Sequence, residues 1–496
     1  LNDMHGPLTT KDGNGVGDIF SAIMGTNPVD FPVMFPQGSD TWYHWGGILA
    51  GNYQPLNPVA LSSAGYKDTF ESTVVANVNW DQKLDFITKG LSFRALVSFK
   101  NWSYNQKFRL QGYNSYQLSD YKQNEDGSYD FTNTPIGEPS NHTMDAFFGT
   151  NGDRRFYIQG YLNYERSFGS HNVSGMLLYN QDDYNTNVNS SLIASLPKRK
   201  MGVAARLSYD YDHRYMLEVN AGYNGSESFA KGHRWGLFPS VALAWKLNEE
   251  SFLKNVNAIS DLKLRLGYGV TGQQNLGNGD YPYMARYMYS KAGANYYFGD
   301  TEYSLIAPQP YDQNLKWEET TTWNVGIDYG FLNGRITGTI DYYFRKTKDL
   351  LNTVTAPAGT NFSNQLLTNV GTLENKGFEF SINAHAVSTQ DWNWNIGYNI
   401  SYNKNKITKM TFNDDPNYAG VIHGGIDGGT GYNALIHRVG EAFNSFYVFE
   451  QIYGPDGKPI EGAYVDQNGD NVIDDKDEVF LGKGGWYGAP FTLGIN

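Results

Sequence analysis

The chain has 496 residues and no cysteine, and its net charge of −13 comes from 51 acidic against 38 basic side chains. The missing cysteine removes disulfide frameworks, thiol catalysis and Cys-based zinc sites, and the negative balance disfavours a nucleic-acid partner. No run of about 18 apolar residues occurs, which excludes helical membrane spans but not the strands of a barrel.

Residues 1–68 read as loop. Nothing near Leu1 resembles the basic, apolar and small-residue sections of a signal peptide. KDGNGVGD at 11–18 lacks the preceding strand and following helix of a phosphate loop, and GNGD at 277–280 is alike in this. TWYHWGG at 41–47 sets Trp42, Tyr43 and Trp45 around His44 beside two glycines. These rings are candidate substrate-stacking residues, and equally candidate loop packing or protein-contact anchors. GNYQP, YYFGD and HRWGLFP are aromatic in the same way. His44 and His423 have no partner at metal-ligand spacing and read as ordinary loop residues.

From about residue 70 the sequence takes up period two, the signature of strands with one apolar face. Strands are expected over 70–80, 91–99, 155–165, 171–182, 201–209, 215–223, 235–245, 262–270, 323–329, 336–344 and 378–386. The clearest is DWNWNIGYNISYNKNK at 391–406, where Trp392, Trp394, Ile396, Tyr398, Ile400 and Tyr402 alternate with polar residues and glycine. Eleven such residues at about 3.3 Å each, tilted by about 45°, give a height of ~25 Å, the apolar band of a transmembrane barrel. A strand in a soluble sandwich is typically half as long. FTLGIN at 491–496 begins one more alternation, so about 12 to 13 strands are expected.

The connections alternate in length. Short ones fall near 81–89, 166–170, 212–214, 331–334 and 388–391, and long ones over 106–153, 183–198, 273–316, 350–374 and 407–490. Outer-membrane barrels have short periplasmic turns and long extracellular loops, which produces this rhythm. The fold expected is an all-β, antiparallel, up-and-down transmembrane barrel whose wall occupies 69–406 and resumes at 491–496. An open edge in hydrocarbon leaves unpaired backbone groups, so further strands are expected before Leu1 and after Asn496.

Within the last long loop, which shows little strand pattern, DQNGDNVIDDKD at 466–477 has oxygen ligands at the first, third, fifth and twelfth positions of a calcium loop: Asp466, Asn468, Asp470 and Asp477. The carbonyl of Val472 takes the seventh position, and Asn471 stands where such loops have glycine. The twelfth ligand is Asp rather than Glu, as in dockerin-like loops. Ca²⁺ is the expected cofactor, against a plain solvated acidic turn.

Four segments carry more than periodicity: LKLRLGYGVTGQQN at 262–275, NLKWEETTTWNVGIDYGFLNGRITGTIDYYFRKTKDLL at 314–351, NVGTLENKGFEFSINAHA at 369–386 and VDQNGDNVIDDKDEVFLGKG at 465–484. In order and spacing the chain from about Thr69 onward resembles the barrel of the SusC-like TonB-dependent transporters of Bacteroidetes. That resemblance implies a barrel of 22 strands holding a lumenal plug, driven through TonB, located in the outer membrane of a Gram-negative bacterium, and capped by a SusD-like surface lipoprotein. The plug, the TonB-contacting segment and the outermost strands have no counterpart here, so the chain reads as a partial one. The implied function is active import of a bulky nutrient, glycan oligomer or peptide. A passive porin and a soluble carbohydrate-binding sandwich are the alternatives. No catalytic constellation is visible, and the protein is expected not to be an enzyme.

Overall fold

In the computed structural model the described residues are 2–7, 17–27, 29–51, 55–137, 144–187, 193–274, 276, 281–298, 301–354, 366–410, 421–422, 434–480 and 491–495. Fourteen strands form one sheet in which every strand pairs with its neighbour in chain order. They are β1 (Asn2–Pro7), β2 (Gly65–Lys83), β3 (Leu91–Gln111), β4 (Met144–Phe168), β5 (His171–Thr186), β6 (Lys198–Tyr211) and β7 (Tyr215–Ser226). The second half comprises β8 (Trp235–Lys246), β9 (Ile259–Gln273), β10 (Glu318–Phe331), β11 (Ile336–Lys348), β12 (Thr372–Ser388), β13 (Asn393–Lys409) and β14 (Phe491–Ile495).

The wall has one strand more than the periodicity predicts. Asn2–Pro7, inside the stretch read as loop, pairs antiparallel with 66–71. Its six residues, NDMHGP, carry no apolar alternation, so only the backbone ladder reveals it. β3 and β4 also overrun their expected ends, to 21 and 25 residues. Apolar alternation marks only the part of a strand that has an apolar surround. Hydrogen bonding continues beyond it through NWSYNQK, where the apolar row of 91–99 stops and Trp102 and Tyr104 fall on the other face.

By contacts the chain forms two compact units, one of Leu1–Asn77, Ser98–Phe156 and Asp183–Pro197, the other of Val78–Val97, Tyr157–Asp182 and Lys198–Asn496. In the second unit, register turns the alternation into rows. Leu217, Leu243, Leu266, Val325, Tyr342, Phe378 and Tyr402 face one another across seven strands. On the opposite face Arg206, Asn220, Ser240, Gly269, Thr322, Arg345, Asn375 and Asn405 form the matching row. The apolar rows are uncovered: Leu243 is 47%, Val325 46% and Tyr342 53% exposed. Contiguous apolar surface of this extent does not suit water. It suits lipid, and aromatic rings mark both of its limits.

At the short-turn end Tyr211 stacks on Tyr215 and Tyr215 on Trp245, with Glu250 accepting from the Tyr215 hydroxyl at 2.6 Å and the Trp245 indole at 3.1 Å. At the other end Tyr223 stacks on Trp235 at 4.7 Å and Tyr268 tilts against Trp323 at 4.5 Å. Tyr215 and Tyr223 are eight residues apart, about 26 Å along the strand and ~20 Å in height when tilted, close to the apolar band of an outer-membrane barrel. Amphipathic rings favour such interfaces.

The long connections carry structure of their own. Arg286–Phe298 pairs with Thr301–Gln309, and Leu351–Val354 with Leu366–Asn369. The stretch 407–490, read as nearly strandless, contains the short strands Val421–Ile422, Leu435–His437, Ser445–Phe449 and Glu478–Phe480 in one small sheet, and a hairpin of Gln451–Tyr453 with Pro459–Tyr464. Two- to six-residue strands are too short for a period to register. A small core is also built from connecting residues: Phe229 and Leu315 are fully buried against Trp317, whose indole donates to the Arg234 carbonyl at 2.9 Å.

Candidate functional site

The aromatic stretch at 41–47 becomes ordered through a short strand. His44–Gly46 pairs antiparallel with Met34–Phe35 and parallel with the start of Ser115–Gln123, within a four-stranded sheet completed by Tyr129–Ile136. A Cβ at Gly46 would stand 1.7 Å from the Pro32 carbonyl oxygen, so the close approach admits only glycine. Alternation then turns His44 inward and Tyr43 and Trp45 the other way.

His44 is the pin of this unit. It is 8% exposed, its Nε2 lies 2.6 Å from Asp40 Oδ2 and its Nδ1 3.1 Å from Asn133 Oδ1. Its ring lies flat on Tyr116 at 3.9 Å, and the Tyr116 hydroxyl accepts from the Trp42 indole at 3.0 Å. The reading of His44 as an ordinary loop residue is thus corrected: it is a buried positioning group. His423 lies outside the described residues.

A second anchor comes from Asn57, which caps the helix Pro58–Ser63 by accepting from Val59 N and Ala60 N. Its amide also donates to the carbonyls of Val33 and Gly46, at 2.8 and 3.0 Å. One buried side chain thereby ties the helix to the strand. The backbone of Gln111 closes the far side by donating to Ala64 O at 2.7 Å.

Between these parts opens a cleft of about 260 Å³ walled by Trp42, Tyr43, Trp45 and Tyr113. The Tyr43 and Trp45 rings are 5.5 Å apart and tilted by 56°. Tyr43 is 55% exposed and Trp42 39%, while burial pushes the Tyr113 hydroxyl above its ordinary pKa. The structure brings together all three rings singled out in the sequence. It adds Tyr113 and Gln111, which no sequence pattern marked because they lie about seventy residues further on. HRWGLFP turns out to be no loop platform, since Trp235 opens the wall strand β8.

The acidic loop is organised by its own backbone. Asp466 accepts from Gly469 N at 2.6 Å and Asn471 N at 2.7 Å, and Asp470 from Val472 N at 2.8 Å. The amide of Asn471, followed by burial working the opposite way, sets the Asp466 carboxyl below its usual range. Asn471 has φ +64°, the left-handed conformation that the sixth position of such loops needs. Asp477 is fully buried and accepts from Gln467 N at 2.8 Å and Asp474 N at 2.9 Å. Asn468 holds Asp470, donating to its Oδ2 at 3.0 Å, and Val472 is 57% exposed. Among the described residues no three acidic or histidine side chains come close enough to grip an ion together.

One further group was missed in the sequence. On the polar face of the wall, Arg265 bonds Asp328 at 2.7 Å and Asp341 at 3.0 Å, and Lys263 reaches Asp328 at 2.8 Å. A cavity of about 680 Å³ opens beside Arg265, Glu218 and Asn324. The signal was present in LKLRL, NVGIDY and TIDYY, as opposite charges at inward positions, but it requires the register to be seen.

Comparison with known proteins places these features. A family profile described as "TonB dependent receptor-like, beta-barrel" matches residues 24–475. The TonB-dependent receptor SusC of Bacteroides thetaiotaomicron is 44% identical over 361 residues, 68% of this chain and 36% of its own length. TonB-dependent receptor P3 of Formosa agariphila is 30% identical over 416 residues, 73% of this chain and 40% of its own. The chain therefore spans well under half the length of these relatives, all of them receptors by name. A solved structure of the RagAB peptide transporter superposes with a TM-score of 0.63 at 18% identity, over 91% of this chain and 48% of that one, which establishes the shared fold. The wall with its exposed apolar rows, aromatic limits and alternating loops is that of an outer-membrane barrel, and the chain belongs to the TonB-dependent receptor-like β-barrel family.

Proposed function

We propose that the protein imports a bulky nutrient, a glycan oligomer or a peptide, across the outer membrane with energy delivered through TonB. The observation that carries this reading is the 44% identity to SusC over 68% of the chain. A SusD-like surface lipoprotein is the expected partner. Connections this long are normally functional or disordered, and here they are folded into hairpins and a small sheet that offer a surface to cover. The test is uptake and growth on a polymeric nutrient in the native host with and without TonB. Import that persists without TonB favours a passive pore instead. Purification in mild detergent is expected to recover the lipoprotein in stoichiometric amount.

In the same reading the loop 466–477 takes up Ca²⁺ and fixes the 434–480 segment. Asp466, Asn468, Asp470, Asp477 and the Val472 carbonyl offer only oxygen, the donor that calcium prefers. Carboxylate oxygens that accept one amide keep a second lone-pair direction. Since, among the described residues, no three of the acidic side chains converge on one point, binding requires them to move together. A cation held by the folded loop alone adds about 2.7 kcal/mol at a hundredfold excess over Kd. Chelation, or Asp466→Ala with Asp470→Ala, is expected to increase proteolysis within 434–480 while the wall stays protected. Unchanged cleavage on chelation returns the loop to a solvated turn.

A further inference from the structure

We propose that the cleft at Trp42, Tyr43, Trp45 and Tyr113 is a saccharide subsite that seats one ring of a neutral oligosaccharide. Three properties of the cleft converge on this ligand.

The first is the wall. Tyr43 and Trp45 meet at 56° with centroids 5.5 Å apart, so they present two faces of a corner rather than one flat surface. Aromatic faces carry partial negative charge and attract the polarised C–H groups that line one side of a pyranose. The corner is pre-organised. His44, between the two rings in sequence, is held by Asp40, Asn133 and Tyr116, and Trp42 is oriented through the Tyr116 hydroxyl. Rings that are already fixed lose little freedom when a ligand arrives.

The second is the charge. Among the described residues no carboxylate, lysine, arginine or histidine lines the cleft; the polar groups they contribute are the hydroxyls of Thr41, Ser63 and Tyr113 and the amide of Gln111. A charged peptide terminus or side chain entering it loses water and gains no ionic partner. Sugar hydroxyls, in contrast, exchange water for hydroxyl and amide partners of the same kind.

The third is the size. About 260 Å³ is below the usual ~300–1,000 Å³ of a drug-sized pocket. It accommodates one ring, and the rest of a polymer remains outside, which suits a capturing subsite more than a closed binding chamber.

The inference rests on the import reading for its physiological role, but binding is measured without transport. The complete protein, purified in detergent, is titrated calorimetrically with maltohexaose, cellohexaose, laminarihexaose and xylohexaose, and with a blocked hexa-alanine peptide. At least one hexasaccharide is expected to bind. Tyr43→Ala is expected to weaken it about tenfold and Tyr43→Phe, which keeps the ring, by less than about twofold. Because Tyr43 is 55% exposed, unchanged thermal melting of both variants serves as the folding control. Saturation-transfer NMR on the bound sugar then reports whether the ring protons touch aromatic side chains. Should none of the four sugars bind, should Tyr43→Ala bind as tightly as the parent, or should the blocked peptide show the Tyr43 dependence in their place, the proposal is overturned. Loss of TonB-dependent uptake with sugar binding intact counts against the import reading only. Intact uptake with no binding in the cleft counts against the subsite only.

Discussion

Replacing Ile340 by Arg tests the assignment of faces directly. Ile340 lies four residues from both ends of the apolar set on β11, Ile336 and Phe344, about 13 Å along the strand in either direction and ~9 Å in height after tilting. It is 39% exposed and stands opposite Ile327 on one side and Phe380 on the other. No carboxylate shares its face on those neighbouring positions, so a guanidinium placed here has neither water nor a counter-charge. An Arg at the midplane of a barrel's lipid face costs about 2 to 4 kcal/mol. The control is Asn399→Arg, on the opposite face of β13 and exposed beside Ser381, where an added charge meets water and the expected change is within about 0.5 kcal/mol. Both variants are refolded from urea into lipid vesicles, and the midpoints and slopes are compared with the parent. Equal costs at the two positions would falsify the division into lipid and lumen faces, and a larger cost at Asn399 would invert it.

Three other outcomes are expected. Phe229→Ala empties a fully buried position beside Trp317 and is expected to cost about 3 to 5 kcal/mol locally; hydrogen exchange at the Trp317 indole, compared with exchange in a variant at the exposed Phe86, measures it. A Cβ at Gly272 would stand 2.1 Å from the Phe238 ring, so Gly272→Ala is expected to destabilise by about 1 to 3 kcal/mol and to shift that ring, visible in aromatic NMR or in a thermal melt. Asp466 and Asp474 both lie below the ordinary carboxylate range because backbone amides, of Asn471 and Lys476 respectively, bond their charged forms. A depressed folded value contributes order above the unfolded pKa that is lost as pH falls through the folded one. Pepsin cleavage within 434–480 is therefore expected to rise as pH drops from about 5 to about 2, and a flat profile would count against the backbone bonds as the source of order.

The wall was legible because its two surroundings differ. Lipid on one side demands Leu243, Val325 and Tyr342, water on the other accepts Ser240, Asn324 and Tyr343, and the demand repeats at every second residue. Where the demand ends, so does the pattern. β1 pairs through its backbone with 66–71 although its side chains alternate in nothing, and the small sheet within 407–490 uses strands too short for a period. Ladder hydrogen bonds are indifferent to side-chain polarity, and a reading based on polarity cannot detect them.

The cleft divides in the same way, between what is contiguous and what is brought in from a distance. Trp42, Tyr43 and Trp45 are neighbours in sequence, so their aromatic density was visible. What turns density into a site is the burial of His44 between Asp40, Asn133 and Tyr116, the Asn57 side chain that ties a helix to the strand, and a Tyr113 contributed from beyond β3. Asp40 is only four residues from His44, but Asn133, Tyr116 and Tyr113 come from segments about seventy to ninety residues away, and spacing reveals none of them. The acidic loop is the opposite case: its spacing was read directly, and within that spacing the oxygens of Asp466 and Asp470 are occupied by amides of the same loop. A sequence motif specifies which atoms are available, and the backbone conformation decides which partner holds them. Where backbone donors already satisfy the carboxylates, an arriving cation must displace or share them, and its affinity is set by that competition as much as by the number of acidic residues in the motif.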